Sequence, residues 1–118
     1  SALLMGEGYQ VTICKNQVEG LSVLEIEAFN LIISDFASTG VSGIEVCKHV
    51  RSSFHLRHIS VILLMESKDP MAKIKGIYAG ADDYVEKPFD PAEFLARVKA
   101  SFVRMTRDLR VLRIDQPI

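Results

Sequence analysis

Several features are scarce or absent in this chain of 118 residues, and each absence excludes a class of protein. No apolar run approaches the ~20 residues that a transmembrane helix needs, and no signal-peptide pattern is present. The net charge of -1 gives no basic surface on which to expect nucleic acid. The two cysteines, Cys14 and Cys47, lack metal-ligand spacing, so we expect reduced core thiols in a cytoplasmic protein. Gly-rich phosphate loops are also absent, which argues against nucleotide binding by those devices.

Strand-like and helix-like segments alternate along the chain. Strands are predicted at four places, "QVTIC", "NLIIS", "SVILLM" and "DDYVEKPF". Helical segments lie between and after them, and the last one opens with Asp90 as N-cap and Pro91 at the first helical position. This alternation through short connections predicts a single domain with a parallel α/β sheet.

The helix after the third predicted strand, "DPMAKIKGIYAGA", carries large apolar residues at helical spacing. The spacing predicts that they are buried: Met71, Ile74, Ile77 and Tyr78. Gly80 is expected to end this helix.

Two charged residues end strands at one edge of the predicted sheet. Asp35 follows "NLIIS", and Lys87 ends the last predicted strand. Ligands of open parallel sheets bind at the carboxyl ends of the strands. A carboxylate and an ammonium there have two interpretations: a structural ion pair, or a nucleophile that accepts a phosphoryl group beside a lysine that neutralises its oxygens. Phosphoryl chemistry would also require Mg²⁺, held by Asp35 and further carboxylates.

Three stretches, "LIISDFASTGVSGIEV", "SVILLM" and "AGADDYVEKPF", closely resemble a response-regulator receiver domain of bacterial two-component signalling. The resemblance extends from about Gly6 to Arg104. It implies a flavodoxin-like, doubly wound parallel sheet with helices on both faces.

The resemblance also implies roles for individual residues. Asp35 matches the phosphoacceptor, Lys87 the phosphate-contacting lysine and Tyr84 the switch aromatic, while the bond before Pro88 matches one that is often cis in the family. The implied function is to take a phosphoryl group from a histidine kinase or phosphotransfer protein, with at most slow self-dephosphorylation. The implied partners are an output domain after residue 118 and a second copy in a homodimer, without direct contact to nucleic acid or membrane.

Three departures from the family pattern weaken the site. The family's first strand, central in its sheet, ends in an acidic pair that binds Mg²⁺, and nothing upstream of Gly6 supplies that strand. We therefore expect a truncated start, or a second chain that fills the gap. Met65 stands where the family has Thr or Ser, and Thr39 where it usually has Pro. These departures support an alternative function, a pseudo-receiver that is never phosphorylated and acts as a protein-binding or dimerisation module.

Other chemistries lack the residues that they need. A haloacid-dehalogenase-type phosphatase requires a second aspartate two residues after the nucleophile, and that position is Ala37. His55 and His58 have a spacing that a metal could use on a helix, but they lie in a predicted loop without a third ligand nearby. A solvated basic loop is the simpler interpretation.

The C-terminal residues suggest a helix that continues past the receiver. Apolar residues repeat at alternating four- and three-residue steps: Val98, Phe102, Met105, Leu109 and Leu112. We divide the chain into a receiver over residues 1–105 and a helical extension or linker over residues 106–118. The alternative is a final helix followed by a frayed basic tail.

Overall fold

A computed structural model describes residues 10–14, 17–35, 43–66, 70–101 and 110–114. Strands and helices alternate from its first described element to its last. Their bounds in chain order are β1 Gln10–Cys14, α1 Gln17–Ile26, β2 Leu31–Asp35, α2 Gly43–Ser52, β3 Ser60–Glu66, α3 Pro70–Ala79, β4 Asp83–Lys87, α4 Pro91–Ala100 and β5 Arg110–Ile114. The predicted cap of the last helix is confirmed, because the Asp90 side chain accepts a hydrogen bond from the Ala92 N–H at 3.0 Å.

The five strands form one sheet in the order β1-β5-β2-β3-β4, and every neighbouring pair is parallel. The prediction of a flavodoxin-like parallel α/β sheet is therefore confirmed. The position between β1 and β2 is the one that the resemblance assigns to the family's first strand. In this chain β5 lies there, with Val111 opposite Val11 on one side and opposite Leu31 on the other.

The location of β5 corrects two predictions. The central position is filled by residues 110–114 of the same chain and not by a second chain, while the truncated start stays a prediction. The predicted helix cannot run through Leu112, because Leu112 lies on this strand; Phe102, Met105 and Leu109 lie outside the described residues. The physical reason is burial: a central strand must be apolar on both faces, and the side chains that meet this demand here are fully buried: Val111, Leu112 and Ile114.

Helices cover the sheet on both faces. On one face α1, α2 and α3 pack against Ile32, Leu63 and Leu112, which point into the larger core cluster. On the other face α4 packs its Phe94 and Val98 against the smaller cluster. No described helix has the length and apolarity that crossing a membrane requires.

The prediction for the buried face of α3 is wrong. The helix buries its small residues, Ala72, Gly76 and Ala79, and leaves the large ones exposed: Met71, Ile74, Ile77 and Tyr78. The reason is close approach, since a Cβ at Gly76 would lie only 3.1 Å from Leu63 Cδ1. The prediction considered only the face with the large apolar residues, whereas the face with the small residues packs against the sheet.

At the end of the sheet opposite Asp35, the guanidinium of Arg51 forms hydrogen bonds that connect four segments of the chain. Arg51, near the end of α2, donates hydrogen bonds to the carbonyls of Arg57, Ile59 and Gly80 at 2.7–2.8 Å. It also pairs with Asp82 at 2.6 Å, whose Oδ2 accepts the Val61 N–H as well. Gly80 ends α3 as predicted, at φ +105, a conformation that favours glycine.

Arg51→Ala should lower the free energy of unfolding by about 2–3 kcal/mol, because partly buried carbonyls and a carboxylate lose their donor. Urea unfolding followed by circular dichroism measures the change. Arg57→Ala is the matched control, since its guanidinium only covers the exposed Phe54 ring at 4.7 Å. Equal losses in the two variants would show that the Arg51 hydrogen bonds contribute nothing specific.

Burial raises the pKa of the Cys47 thiol to about 12, from 9.0. Nearby Arg51 lowers this pKa and Asp82 raises it, both less than burial does. Between these values the unfolded thiol ionises while the folded thiol stays neutral, so stability should fall as the pH rises through this window. Cys47→Ala should remove up to about 1.4 kcal/mol of this loss per pH unit. Unfolding free energies of both chains at several pH values above 8.5 measure it, and parallel curves would contradict it.

Candidate functional site

Asp35 and Lys87 meet at the carboxyl ends of the strands. Asp35 is the last residue of β2 and lies opposite Leu64 of β3, while Lys87 is the last residue of β4 and lies opposite Glu66 of β3. The lysine therefore reaches across the end of β3, and its Nζ forms an ion pair with Asp35 Oδ1. The Asp35 side chain is only 5% exposed, whereas the Lys87 side chain is 26% exposed. Solvent thus meets the pair from the lysine side.

The apolar run before Asp35 explains why this carboxylate lies where it does. Leu31, Ile32 and Ile33 are fully buried, as is Ser34, so β2 crosses the core and its first strongly polar group appears at the edge of the sheet. The next described element, α2, begins with Gly43 directly beside the strand end. A Cβ at Gly43 would overlap the carbonyl oxygen of Asp35 and lie 3.0 Å from Leu63 Cδ2. A glycine at this position therefore allows the helix to start against the residue that carries the carboxylate.

Met65 and Tyr84 lie on the α3 side of the sheet. Met65 is buried in the larger core cluster, and the half-buried Tyr84 packs against the same cluster. Both residues line a cavity of about 150 Å³ together with Gly76 and Ile77 of α3. The structure thus brings these two predicted residues to one cavity, in which Met65 has a thioether where the family pattern has a hydroxyl. Thr39 lies outside the described residues.

Ion pairs surround Tyr84 on the outer surface. Lys73 of α3 contacts Glu86 at 2.5 Å and lies 5.1 Å from the centre of the Tyr84 ring. The hydrogen bond to Glu86 raises the pKa of Lys73. Arg97 of α4 donates to both carboxylate oxygens of Asp83 at 2.9 and 3.0 Å, which raises the pKa of Arg97. These pairs are solvent-accessible, so they fix side-chain positions more than they stabilise the fold.

The chain turns sharply after Lys87. The Lys87–Pro88 peptide bond is cis, and the following Phe89 stacks on Phe94 of α4 with ring centroids 4.8 Å apart. The Phe94 ring lies 5.9 Å from the guanidinium of Arg113, which belongs to β5. The strand end that carries Lys87 is thereby connected through two rings to the central strand.

A divalent cation would need more ligands than the described part of the site provides. Among the described residues, no group of three His, Cys, Asp or Glu side chains could hold a metal ion. At the strand ends, Asp35 supplies a carboxylate that already contacts Lys87. Hard cations such as Mg²⁺ bind through several oxygen ligands, so the described residues do not by themselves fit this ion.

Two features of the site were missed at the level of sequence. The close approach of Gly43 to Asp35 had only a weak signal, a glycine at the start of a predicted helix. The sequence signal for β5 was stronger, since three of the five residues 110–114 are apolar and typical of strands: Val111, Leu112 and Ile114. This signal was missed because Leu112 also fits the four- and three-residue repeat of a helix.

Comparison with known proteins identifies one family. A family model described as the response regulator receiver domain matches residues 1–99. The chain is 36% identical over 101 residues to the phosphate regulon transcriptional regulatory protein PhoB of Rhizobium meliloti, which is 86% of this chain and 44% of that protein. It is 39% identical over 95 residues to the transcriptional regulatory protein YkoG of Bacillus subtilis, 80% of this chain and 41% of that protein. This chain therefore spans less than half the length of these curated relatives.

Solved structures are similar over most of their length. The signal receiver domain of a signal transduction histidine kinase from Syntrophus aciditrophicus is 30% identical with a TM-score of 0.79, over 91% of this chain and 83% of that one. The Vibrio cholerae chemotaxis protein CheY4 is 28% identical with a TM-score of 0.80, over 86% of this chain and 84% of that one. The family match ends at residue 99, so β5 lies outside it.

Gly43→Ala should lower the free energy of unfolding by about 1–3 kcal/mol, because the added methyl group overlaps the Asp35 backbone. An unhindered Gly→Ala change in a helix would instead raise it by up to about 1 kcal/mol. Urea unfolding gives the sign. Gly76→Ala is the matched control, since its Cβ would meet side-chain atoms, Leu63 Cδ1 at 3.1 Å and Met65 Cε at 3.8 Å, and not backbone. A stabilised Gly43→Ala chain would disprove the close approach.

Proposed function

This chain belongs to the response regulator receiver domain family, and from that premise we propose that it accepts a phosphoryl group on Asp35. The donor would be the phosphohistidine of a histidine kinase or phosphotransfer protein. The P–N bond of the donor breaks as an Asp35 carboxylate oxygen forms the new P–O bond. The observation that supports this proposal is the Asp35–Lys87 ion pair at the strand ends.

Lys87 would have two functions in this reaction. Before transfer it balances the charge of a carboxylate that is almost entirely buried. After transfer its ammonium would neutralise the phosphoryl oxygens, whose charge is larger than that of the carboxylate. Because the Lys87 side chain is more exposed than that of Asp35, the lysine can move with the new group without leaving the edge of the sheet.

Receiver domains generally bind Mg²⁺ at this site. In this chain Asp35 is the described residue that could contact the ion, and Lys87 competes for the same carboxylate. We therefore include Mg²⁺ in the assay below but assign no further ligands.

The consequence of phosphorylation would be a changed surface for a partner or an output domain. Tyr84 would take part, because it lines a cavity with Met65 close to the strand ends and faces Lys73 on the surface. Met65 offers only a weak thioether acceptor where the family pattern has a hydroxyl, so the usual hydrogen-bonded route to Tyr84 would be weakened.

The second candidate function is a pseudo-receiver, a binding or dimerisation module that is not phosphorylated. The buried Met65 and the small number of described oxygen ligands favour it. Under this alternative the Asp35–Lys87 pair is structural, and the same surfaces act without a covalent switch.

Incubation of the chain with acetyl phosphate and Mg²⁺ should add one phosphoryl group, seen by intact-protein mass spectrometry and removed by hydroxylamine. Asp35→Asn should abolish the gain because it removes the nucleophile. Asp83→Asn is the matched control: it makes the same chemical change in an acid that pairs with Arg97 away from the strand end, and the gain should persist. No gain in a chain shown to be folded would reject phosphorylation in favour of the pseudo-receiver.

A further inference from the structure

The central strand of this sheet is in direct contact with the strand that carries the candidate phosphoacceptor. Ile114, the last residue of β5, lies opposite Ser34, and Ser34 immediately precedes Asp35. On its other side the same residue lies opposite Cys14 of β1. Residues 31–34 of β2 therefore have β5 as their neighbour along one edge, up to the residue before the carboxylate.

A glycine of α1 packs directly against the last residue of β5. A Cβ at Gly20 would overlap Ile114 Cδ1 and would lie 2.8 Å from Ile114 Cγ1. Ile114 is fully buried, so it has little room to move away from such a group. The contact between Gly20 and Ile114 thus fixes the end of β5 nearest to Asp35.

The opposite face of β5 is connected through aromatic side chains to the segment that follows Lys87. Arg113 places its guanidinium 5.9 Å from the centre of the Phe94 ring, and Phe94 stacks on Phe89, two residues after Lys87. The strand therefore contacts the carboxylate side of the pair through β2 and the lysine side through these two rings.

We propose that β5 is the positioning element of the Asp35–Lys87 pair and that Ile114, seated at Gly20, is its anchor. When β5 is paired with β2, the backbone hydrogen bonds between the two strands hold one edge of β2, and Asp35 faces Lys87. When the end of β5 detaches, that edge loses its partner and the pair loosens. Coupling of this kind is reciprocal, so a phosphoryl group on Asp35 alters in turn how firmly β5 is held; this last step rests on the proposed function.

The test adds one methyl group at the seat of Ile114. Gly20→Ala would stabilise α1 if the position were unhindered, whereas overlap with Ile114 should loosen β5. Amide hydrogen exchange of residues 110–114 should become faster. Labelling of Lys87 by an amine reagent, relative to the exposed Lys48 and Lys75, should rise about fivefold, the lower end of typical couplings between sites.

Three further variants keep the test specific. Gly20→Ala combined with Ile114→Val conserves the total number of side-chain carbon atoms, so it should restore both readouts towards wild type. Ser22→Ala lies on an exposed position of the same helix and should leave both unchanged. If Gly20→Ala alone does not fold, Ile114→Val alone provides a milder loosening of the same anchor, and Lys87 labelling should still rise.

The outcomes separate this inference from the proposed function. Faster exchange of β5 with unchanged Lys87 labelling would overturn the positioning role, and unchanged exchange in Gly20→Ala would overturn the anchor. Neither readout requires phosphorylation, so a chain that gains no phosphoryl group still tests the positioning. If acetyl phosphate does modify Asp35, the Gly20→Ala chain should react more slowly, and modification should change the exchange of residues 110–114.

Discussion

A parallel sheet covered by helices on both faces cannot leave its central strand position empty, and the structure of this chain depends on that constraint. Without a strand between β1 and β2, the facing edges of both would carry unpaired backbone groups in the interior. The chain satisfies the constraint with residues 110–114, whose apolar side chains contribute to both core clusters. The order of elements along the chain is thus less important to this fold than the filling of every position in the sheet.

The candidate site follows from the same packing. Because β2 is apolar along its length, its carboxylate can appear only where the strand leaves the core. A buried carboxylate is costly unless a cation accompanies it, and Lys87 supplies that cation from two strands away. The pair lies at the boundary between core and solvent, where a carboxylate can be both held in one orientation and reached by a reactant.

Much of the fold could be predicted from the sequence because it is encoded locally. The strands β1 to β3 are short runs that contain β-branched residues, and Asp90 and Pro91 mark the last helix by an N-cap that the structure retains. The placement of Asp35 and Lys87 together followed from a general property of parallel sheets. The predictions failed where two local patterns competed: α3 has two apolar faces, and Leu112 fits both a helical seam and a strand. In both cases the choice is made by contacts distant in sequence, such as Gly76 with Leu63 and Ile114 with Gly20.

Two of the departures from the family pattern, Met65 and the origin of the central strand, bear on the same question, which is how the state of Asp35 would affect other parts of the molecule. On the α3 side, Met65 stands where the family pattern has a hydroxyl, and a thioether cannot donate a hydrogen bond; under the function that we propose, this weakens the connection between Asp35 and Tyr84. On the other side of β2, the neighbouring strand comes from beyond the part of the chain that matches the family. That strand touches the carboxylate strand through Ile114 and the lysine side through Arg113 and Phe94. Under the proposed function the route through Tyr84 is thus weakened in this chain, while the contacts of β5 reach both partners of the ion pair without crossing α3.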